Sequence, residues 1–321
     1  ARPNEIALVE NATRAWDMAF YAVGFQPGDR ILTARAEYAS NYIAYLQVAR
    51  KTGAVVEVIP CDATGQVDVG ALRSMLEERA GRVKLIAITH VPTNGGLVNP
   101  AAAIGALARE FGVLYLLDAC QSVGQMPIDV KAIGCDLLSA TGRKYLRGPR
   151  GTGFLYVRDA VIELLEPPML DLHAATWVDT DRYEIRGDAR RFENWEGNFA
   201  ARIGLGVAVD YALGWGMAAI WDRVQALADR LRQSLSAVPG VTVRDIGAVK
   251  CGIVTFTVDG MPAEEAKARL ARDDINVTVT TTFGTRLDMQ ARGLSQMVRA
   301  SVHYYNTEDE IARLCEALAR G

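Results

Sequence analysis

Histidine, lysine and cysteine are scarce in this chain, and each shortage removes a class of function. The 321 residues include three histidines, six lysines and five cysteines. Cys61, Cys120, Cys135, Cys251 and Cys315 stand far apart, with no Cys-x-x-Cys pair and no Cys/His cluster at metal-ligand spacing. That leaves no basis for a metal centre or a dithiol redox site, and unpaired thiols point to a reducing, cytoplasmic setting. No uninterrupted apolar run reaches the roughly 18 residues expected of a membrane span. Charge is nearly balanced, 35 basic against 38 acidic residues for a net of -3, and no polybasic tract concentrates it. Binding to nucleic acid or to an anionic membrane is therefore not expected. The opening stretch, "ARPNEIALVE", has neither a Met nor a signal-peptide pattern, and an N-terminal segment is expected to be missing.

Half of the residues are hydrophobic, enough for one large core or two linked ones. Apolar runs alternate with segments of helical period. "RILTAR", "AVVEVIP", "KLIAITHV" and "VLYLLDAC" read as strands. "NYIAYLQVARKTG", "VDVGALRSMLEERAG" and "NPAAAIGALAREFG" between them read as helices with glycine stops. "CDLLSAT" and "GTGFLYVR" add two more strands. Continuous Val/Ile/Leu runs separated by helices predict an α/β fold, a mainly parallel sheet covered on both faces. The stretch from Glu166 to Asn198 is polar, aromatic and irregular. Beyond it come two long helical segments, then "VTVRDI", "GIVTFTV", "INVTVTT" and "MVRASVH" as short strands with two further helices. The division expected is a large domain over residues 1–215 and a smaller α+β domain over 216–321.

Chemistry concentrates around "VLYLLDACQSVGQ" and "LLSATGRKYLRGPRGTGFLYV". The first delivers Asp118 to the carboxyl end of an apolar strand, with Gln121 three residues on. A carboxylate buried there costs several kcal/mol unless it meets a cation or donors. The second places Lys144 after the next strand, so both fall on one rim of a parallel sheet, where ligands of such sheets bind. Thr141, Gly142 and Arg143 before it offer a hydroxyl, a permissive backbone and a guanidinium, the parts of a phosphate cradle. The other five lysines lie in polar helices or turns, or precede strands. A phosphate site, a strand-end acid and a nucleophilic amine together suit pyridoxal phosphate (PLP), whose ring needs a protonated nitrogen to accept electrons. Taken singly, Asp118 reads as readily as a turn cap.

These stretches, followed later by "VRASVHYYNTEDEI", resemble the class V aminotransferase family of fold type I PLP enzymes. That family includes cysteine desulfurases, isopenicillin N epimerase and hercynylcysteine sulfoxide lyase. The resemblance runs from "ALVENATRAWD" to the C-terminus and implies a homodimer with its site near the subunit interface. It implies Lys144 as the Schiff-base lysine, Asp118 as the partner of the ring nitrogen and Gln121 as donor to the phenolic oxygen. Thr141 and Arg143 would bind phosphate, together with Ala12 and Thr13 of "NATRA" at a helix N-terminus. Tyr38 would take the ring-stacking position, Thr93 a position where relatives have Asn, and Arg299 the clamp on the substrate carboxylate. Tyr38 is open to a reading as core aromatic, Thr13 as a helix cap and Arg299 as an ion-pair partner.

Two departures shape the functional expectation. Desulfurases of this family carry a mobile cysteine shortly before the final arginine motif, and "VTVTTTFGTRLDMQARGLSQMVRAS" has none. "RFENWEGNFAARIGLG" replaces a glycine/threonine-rich stretch, so Trp195, Glu196 and Asn198 are expected to face the site, Asn198 toward substrate. The expectation is an enzyme acting at Cα of an amino acid, a carbon–sulfur β-lyase or an epimerase rather than a cysteine-dependent desulfurase. The alternatives are an aminotransferase, or a catalytically impaired PLP fold used for binding or regulation.

Overall fold

The computed structural model of the chain describes residues 1–79 and 81–320. In chain order the first half forms β1 (Ile6–Val9), α1 (Ala12–Tyr21), β2 (Arg30–Thr33), α2 (Ala39–Thr52), β3 (Val55–Val58), α3 (Val69–Glu78) and β4 (Val83–Thr89). There follow α4 (Ala101–Glu110), β5 (Leu114–Asp118), α5 (Val130–Ile133), β6 (Leu137–Thr141) and β7 (Gly153–Val157). Local signals set the ends of these helices. Asn11 caps α1 by accepting from the Arg14 amide at 2.8 Å, Asp68 caps α3 through the Ala71 amide at 2.9 Å, and Gly53 ends α2 in the left-handed region.

The strands assemble in the order β1-β7-β6-β5-β4-β2-β3. From β3 to β6 every pairing is parallel, as the apolar runs predict; β7 is antiparallel to both β6 and β1. The reversal has a simple cause. No helix lies between β6 and β7 to carry the chain back across the sheet, so the chain must return antiparallel. Adjacent residues of each central strand face opposite layers. Ile31, Leu85, Leu116 and Leu137 pack with Trp16, Phe20 and Tyr45 of α1 and α2. Leu32, Ile86, Leu117 and Leu138 pack with Leu72, Leu76, Ile104 and Leu107 of α3 and α4. The period-two alternation of wholly apolar strands thus builds two cores on one sheet.

The polar stretch after β7 contains an exposed hairpin, β8 (Ala175–Asp179) and β9 (Arg182–Ile185), where the sequence reads as irregular. Trp177 pairs across it with Tyr183, the kind of aromatic cross-strand pair that stabilises a two-stranded ribbon. Next come α6 (Phe199–Trp215), α7 (Met217–Ser236), β10 (Val241–Val243), β11 (Ile253–Val258), α8 (Ala263–Ala271), β12 (Thr278–Thr281), α9 (Arg286–Ala291), β13 (Gln296–Ser301) and α10 (Glu308–Ala319). The four strands form an antiparallel sheet in the order β10-β11-β13-β12. Its core takes Leu227, Leu231 and Leu235 from α7 and Ile311, Leu314 and Leu318 from α10. Gly216, at φ 85, separates α6 from α7. Among the described residues no single helix is long and apolar enough to cross a membrane; α6 and α7 pass that test only as a pair, bent by 78°.

Side chains from loops join the two sheets. The Gly252 amide donates to Gln125 Oε1 at 3.0 Å, and the rings of Tyr145 and His303 stack at 4.4 Å. Close approach matters equally at the other end of the first sheet. A Cβ on Gly153 would lie 2.7 Å from the Asn11 carbonyl carbon and 2.8 Å from the Ala140 oxygen. Both are backbone atoms that cannot swing aside. Gly153→Ala should therefore push away the first turn of α1 and cost about 1–3 kcal/mol, read as a lowered denaturant midpoint. A variant as stable as the parent would show that α1 does not press on β7.

Candidate active site

The carboxyl ends of the central strands make one rim. In register, Thr89 of β4 lies opposite Asp118 of β5, and Asp118 lies opposite Ser139 of β6. A cavity of about 500 Å³ opens above that rim. Asp118 and Lys144 both line it, as do Gln121 and Thr93. Asp118 is 5% exposed. One of its oxygens accepts from the Cys120 amide at 2.9 Å, the other from Asn41 Nδ2 at 3.0 Å. Burial pushes its pKa up; the two donors and the ammonium of Lys144 oppose the shift. Lys144 is half-buried and lies against the Cys120 thiol, itself raised by burial and by Asp118.

The same cavity also carries groups suited to an anion. Ala12 and Thr13 line it at the start of α1, with Asn11 as the cap and Thr13 inside the helix. The first amides of a helix carry its positive end. Thr141, Arg143 and Arg150 complete this set. The Thr141 hydroxyl donates to the Thr152 carbonyl at 3.1 Å, which leaves its lone pairs facing away from that bond. The lysine loop is held tightly: the Gly148 amide donates to the Gly142 carbonyl at 2.7 Å. A Cβ on Gly142 would meet Thr152 Oγ1 at 2.2 Å, so the residue two before Lys144 has no room for a side chain.

Thr93 ties the site to the second sheet. Its hydroxyl accepts from Gln121 Nε2 at 3.2 Å and from Arg299 at 2.9 Å, and its carbonyl accepts from the same guanidinium nitrogen at 3.0 Å. Arg299, on β13, lines a neighbouring cavity of about 590 Å³ that shares Tyr38 and Thr93 with the first. Its Nε is a buried donor with no partner among the described residues. Tyr38 begins α2 between the two cavities, without a side-chain cap bond.

Asn198 is not brought to the cavity. It is exposed, accepts from the Ala201 amide at 2.9 Å as the cap of α6, and lines only a small hollow shared with Glu10, Gly151 and Glu196. Trp195 is likewise exposed, edge-on to His173. The reason is local: a helix beginning at Phe199 needs its cap at residue 198, and Asn serves well there.

Sequence reasoning also missed three residues of the site: Glu37, Asn41 and Arg150. Asn41 lines the cavity and bonds Asp118, and Glu37 lies behind it, 3% exposed. Burial raises Glu37 to about 7, with Asp118 adding to the shift and its own hydrogen bonds opposing it. Glu37 and Asn41 stand one helical turn apart in "EYASN", the single signal that they share a face.

The residues present fit PLP. Asp118 is a buried acid lining the cavity, its two donors are neutral and it forms no ion pair among the described residues, which suits a cationic ring N–H. An amine, a helix start and two arginines line the same cavity, and the last two are the donor types a phosphate requires.

The aminotransferase class-V family model matches residues 1–314. A probable cysteine desulfurase of Methanothermobacter thermautotrophicus is 32% identical over 99% of this chain and 79% of its own length. One of Xylella fastidiosa is 31% identical over 100% and 76%. Among solved structures, a cysteine desulfurase of Thermococcus onnurineus superposes with a TM-score of 0.92 at 27% identity, over 100% of this chain and 80% of that one. A structure 25% identical, with a TM-score of 0.84 over 99% and 81%, is described as a mutant with glycine covalently linked to the PLP cofactor. These relatives overturn the expectation that sets the chain apart from the cysteine desulfurases, while a PLP-dependent lyase of this family stands. That expectation weighed a single loop position, the absent thiol, against a likeness that runs through the whole chain. From the rim of its parallel sheet to its last helix, the chain belongs to the aminotransferase class-V family, with the fold of the type I PLP enzymes.

Proposed function

We propose that the chain is a PLP-dependent enzyme of the cysteine desulfurase group, removing sulfur from cysteine or a close analogue. The observation that carries this reading is the cavity that gathers Lys144, Asp118 and the start of α1, with Arg299 lining the adjoining cavity that shares Tyr38 and Thr93. The names of the relatives give it a reaction.

When bound, PLP supplies an electron sink for bond breaking at the substrate's Cα and Cβ. Asp118 would hold the ring nitrogen, Lys144 the aldehyde carbon, Gln121 the phenolic oxygen and Tyr38 one ring face. Thr141, Arg143 and the amides of Ala12 and Thr13 would hold the phosphate. Asp118, buried and kept anionic by the cation it meets, favours charge on the nitrogen through a short-range interaction little screened by water. Arg299 orients the substrate carboxylate by charge-assisted hydrogen bonds, and its anchorage on Thr93 fixes the fork before substrate arrives. The amine of Lys144, on the same cavity, takes the proton from Cα and returns one after the sulfur has left. The segment from Thr282 to Ser295, which includes α9, contains no thiol to receive sulfur, so an assay should include a thiol reductant. One cysteine and two thiols then give alanine, sulfide and one disulfide.

Purified protein mixed with PLP should develop a visible absorption band. After borohydride reduction, the cofactor mass should be attached at Lys144 and absent from Lys144→Ala. A colourless, unlabelled wild type would refute the cofactor. Incubation of the PLP-loaded protein with cysteine should yield alanine and sulfide in equal amounts; pyruvate or racemised substrate alone would refute the desulfurase reading. Arg299→Ala should raise KM by about tenfold or more with a smaller change in kcat, and an unchanged KM would remove the clamp. Thr93→Val, which leaves Arg299 only the carbonyl, should raise KM in the same direction and by less.

A homodimer is part of the proposal. Phe199, Ile203, Val207, Tyr211 and Trp215 recur every fourth residue along α6, each more than half exposed. Such a ridge would be covered by a second copy, and it begins at Asn198, whose hollow shares Glu10 and Gly151 with the main cavity. Ile203→Glu combined with Val207→Glu should halve the mass seen in sedimentation; a monomeric wild type would refute the dimer.

A further inference from the structure

Behind the cavity lies a second buried carboxylate that the proposed chemistry does not use. Glu37 joins two strands of the first sheet to the start of α2. It accepts from the Thr33 hydroxyl of β2 at 2.9 Å, from the Thr89 amide of β4 at 3.1 Å and from the Tyr38 amide at 3.0 Å. The Thr89 hydroxyl donates to it as well. Its remaining partner is Asn41, 2.9 Å away, and the same Asn41 nitrogen donates to Asp118 at 3.0 Å. The two hydrogens of one amide therefore bridge two buried carboxylates. Asn41 is 3% exposed and cannot turn to solvent without breaking both bonds.

This geometry has two consequences. Asp118 is steered, because Asn41 occupies one oxygen and is itself fixed by Glu37. Asp118 also feels the charge on Glu37 through a medium that screens it poorly. We propose that Glu37 and Asn41 are positioning residues for Asp118: Asn41 aims its carboxylate at the cavity, and ionisation of Glu37 strengthens its hold on a cationic ring nitrogen. The inference rests on the PLP reading above.

The groups facing Glu37 are few. Asp118 comes from β5, Tyr45 from α2, and the neutral Thr33 and Thr89 from β2 and β4. Lys144 lies beyond Asp118, whose charge it partly offsets. No cation pairs with Glu37 among the described residues, and burial holds it at about 7 against an ordinary 4.5. Its folded value is raised, so its contribution to stability is full below pH 4.5 and is lost as pH rises through 7. Cation binding beside Asp118 acts in the opposite sense and favours the Glu37 anion, by the reciprocity of linked equilibria.

The test compares wild type, Glu37→Gln and Asn41→Ala, each as the full chain, in two measurements. Without PLP, melting of Glu37→Gln against wild type should move in favour of the variant by several degrees between pH 5 and pH 8. A gap that is constant with pH would show that Glu37 does not titrate there. With PLP, the ratio of the variant's Kd to that of wild type should be near one at pH 6 and rise to roughly threefold to tenfold at pH 8, the size expected of one poorly screened neighbouring charge. Comparison at equal pH cancels the cofactor's own titration. Asn41→Ala, which cuts the bridge and leaves the other donors of Glu37 in place, should weaken PLP binding at both pH values. A flat Kd ratio for Glu37→Gln, or unchanged binding by Asn41→Ala, would overturn the proposal while leaving the cofactor reading intact. Failure of wild type to bind PLP at all would overturn both.

Discussion

The site depends on keeping one carboxylate charged where water does not reach. Asp118 ends a strand whose five residues are buried or nearly so, and its own exposure is slight. An isolated anion there would take up a proton rather than bear the desolvation. Two neutral donors soften that cost without removing it, since Asp118 is still shifted toward its protonated form. A cavity bounded by such an acid favours a ligand that brings a positive N–H. Burial that is unfavourable in the free protein becomes the source of affinity and of electron withdrawal once the cation arrives.

Geometry around that acid follows from the way three chain segments are forced together. β7 must turn back antiparallel, and its first residue is a glycine pressed on the backbone of Asn11. The start of α1 is thereby brought against the loop that carries Lys144. Gly142 leaves no gap between that loop and Thr152. The amine, the acid and the helix start thus lie on one cavity because these segments pack too closely at Gly142 and Gly153 to admit a side chain. Positions set in this way tolerate little motion, as catalysis by orientation requires.

Much of this was legible in the sequence, and the limits of legibility have physical reasons. Wholly apolar strands and glycine-stopped helices predict the parallel sheet, and sheet topology then places Asp118 and Lys144 on one rim without further information. The direction of β7 was missed because period and composition carry no sign of strand direction; the helix-free connection does. Glu37 and Asn41 were missed because their partner Asp118 is 77 residues from Asn41, and buried polar bridges of that range leave no periodic trace. Asn198 was assigned outward from a motif when its nearest duty was to cap a helix. The reading of function went astray at a different level. One missing thiol is a single position, whereas the likeness to the desulfurases runs through the whole chain.

Thr93 shows why the second sheet must be docked before the site is whole. Arg299 comes from β13, yet its fixed hydrogen bonds are to Thr93, in the loop after β4. That same hydroxyl receives Gln121, which follows β5. One oxygen therefore receives a donor from each sheet, and a displacement of either would leave a buried donor unpaired, at about 1–3 kcal/mol. Arg299 and Gln121 are thus held to each other through Thr93 rather than to their own elements. In the roles proposed for them, substrate and cofactor would be oriented together. An Asn at this position could both donate and accept, whereas Thr93 spends its acceptor capacity on the two neighbours and keeps one proton to give.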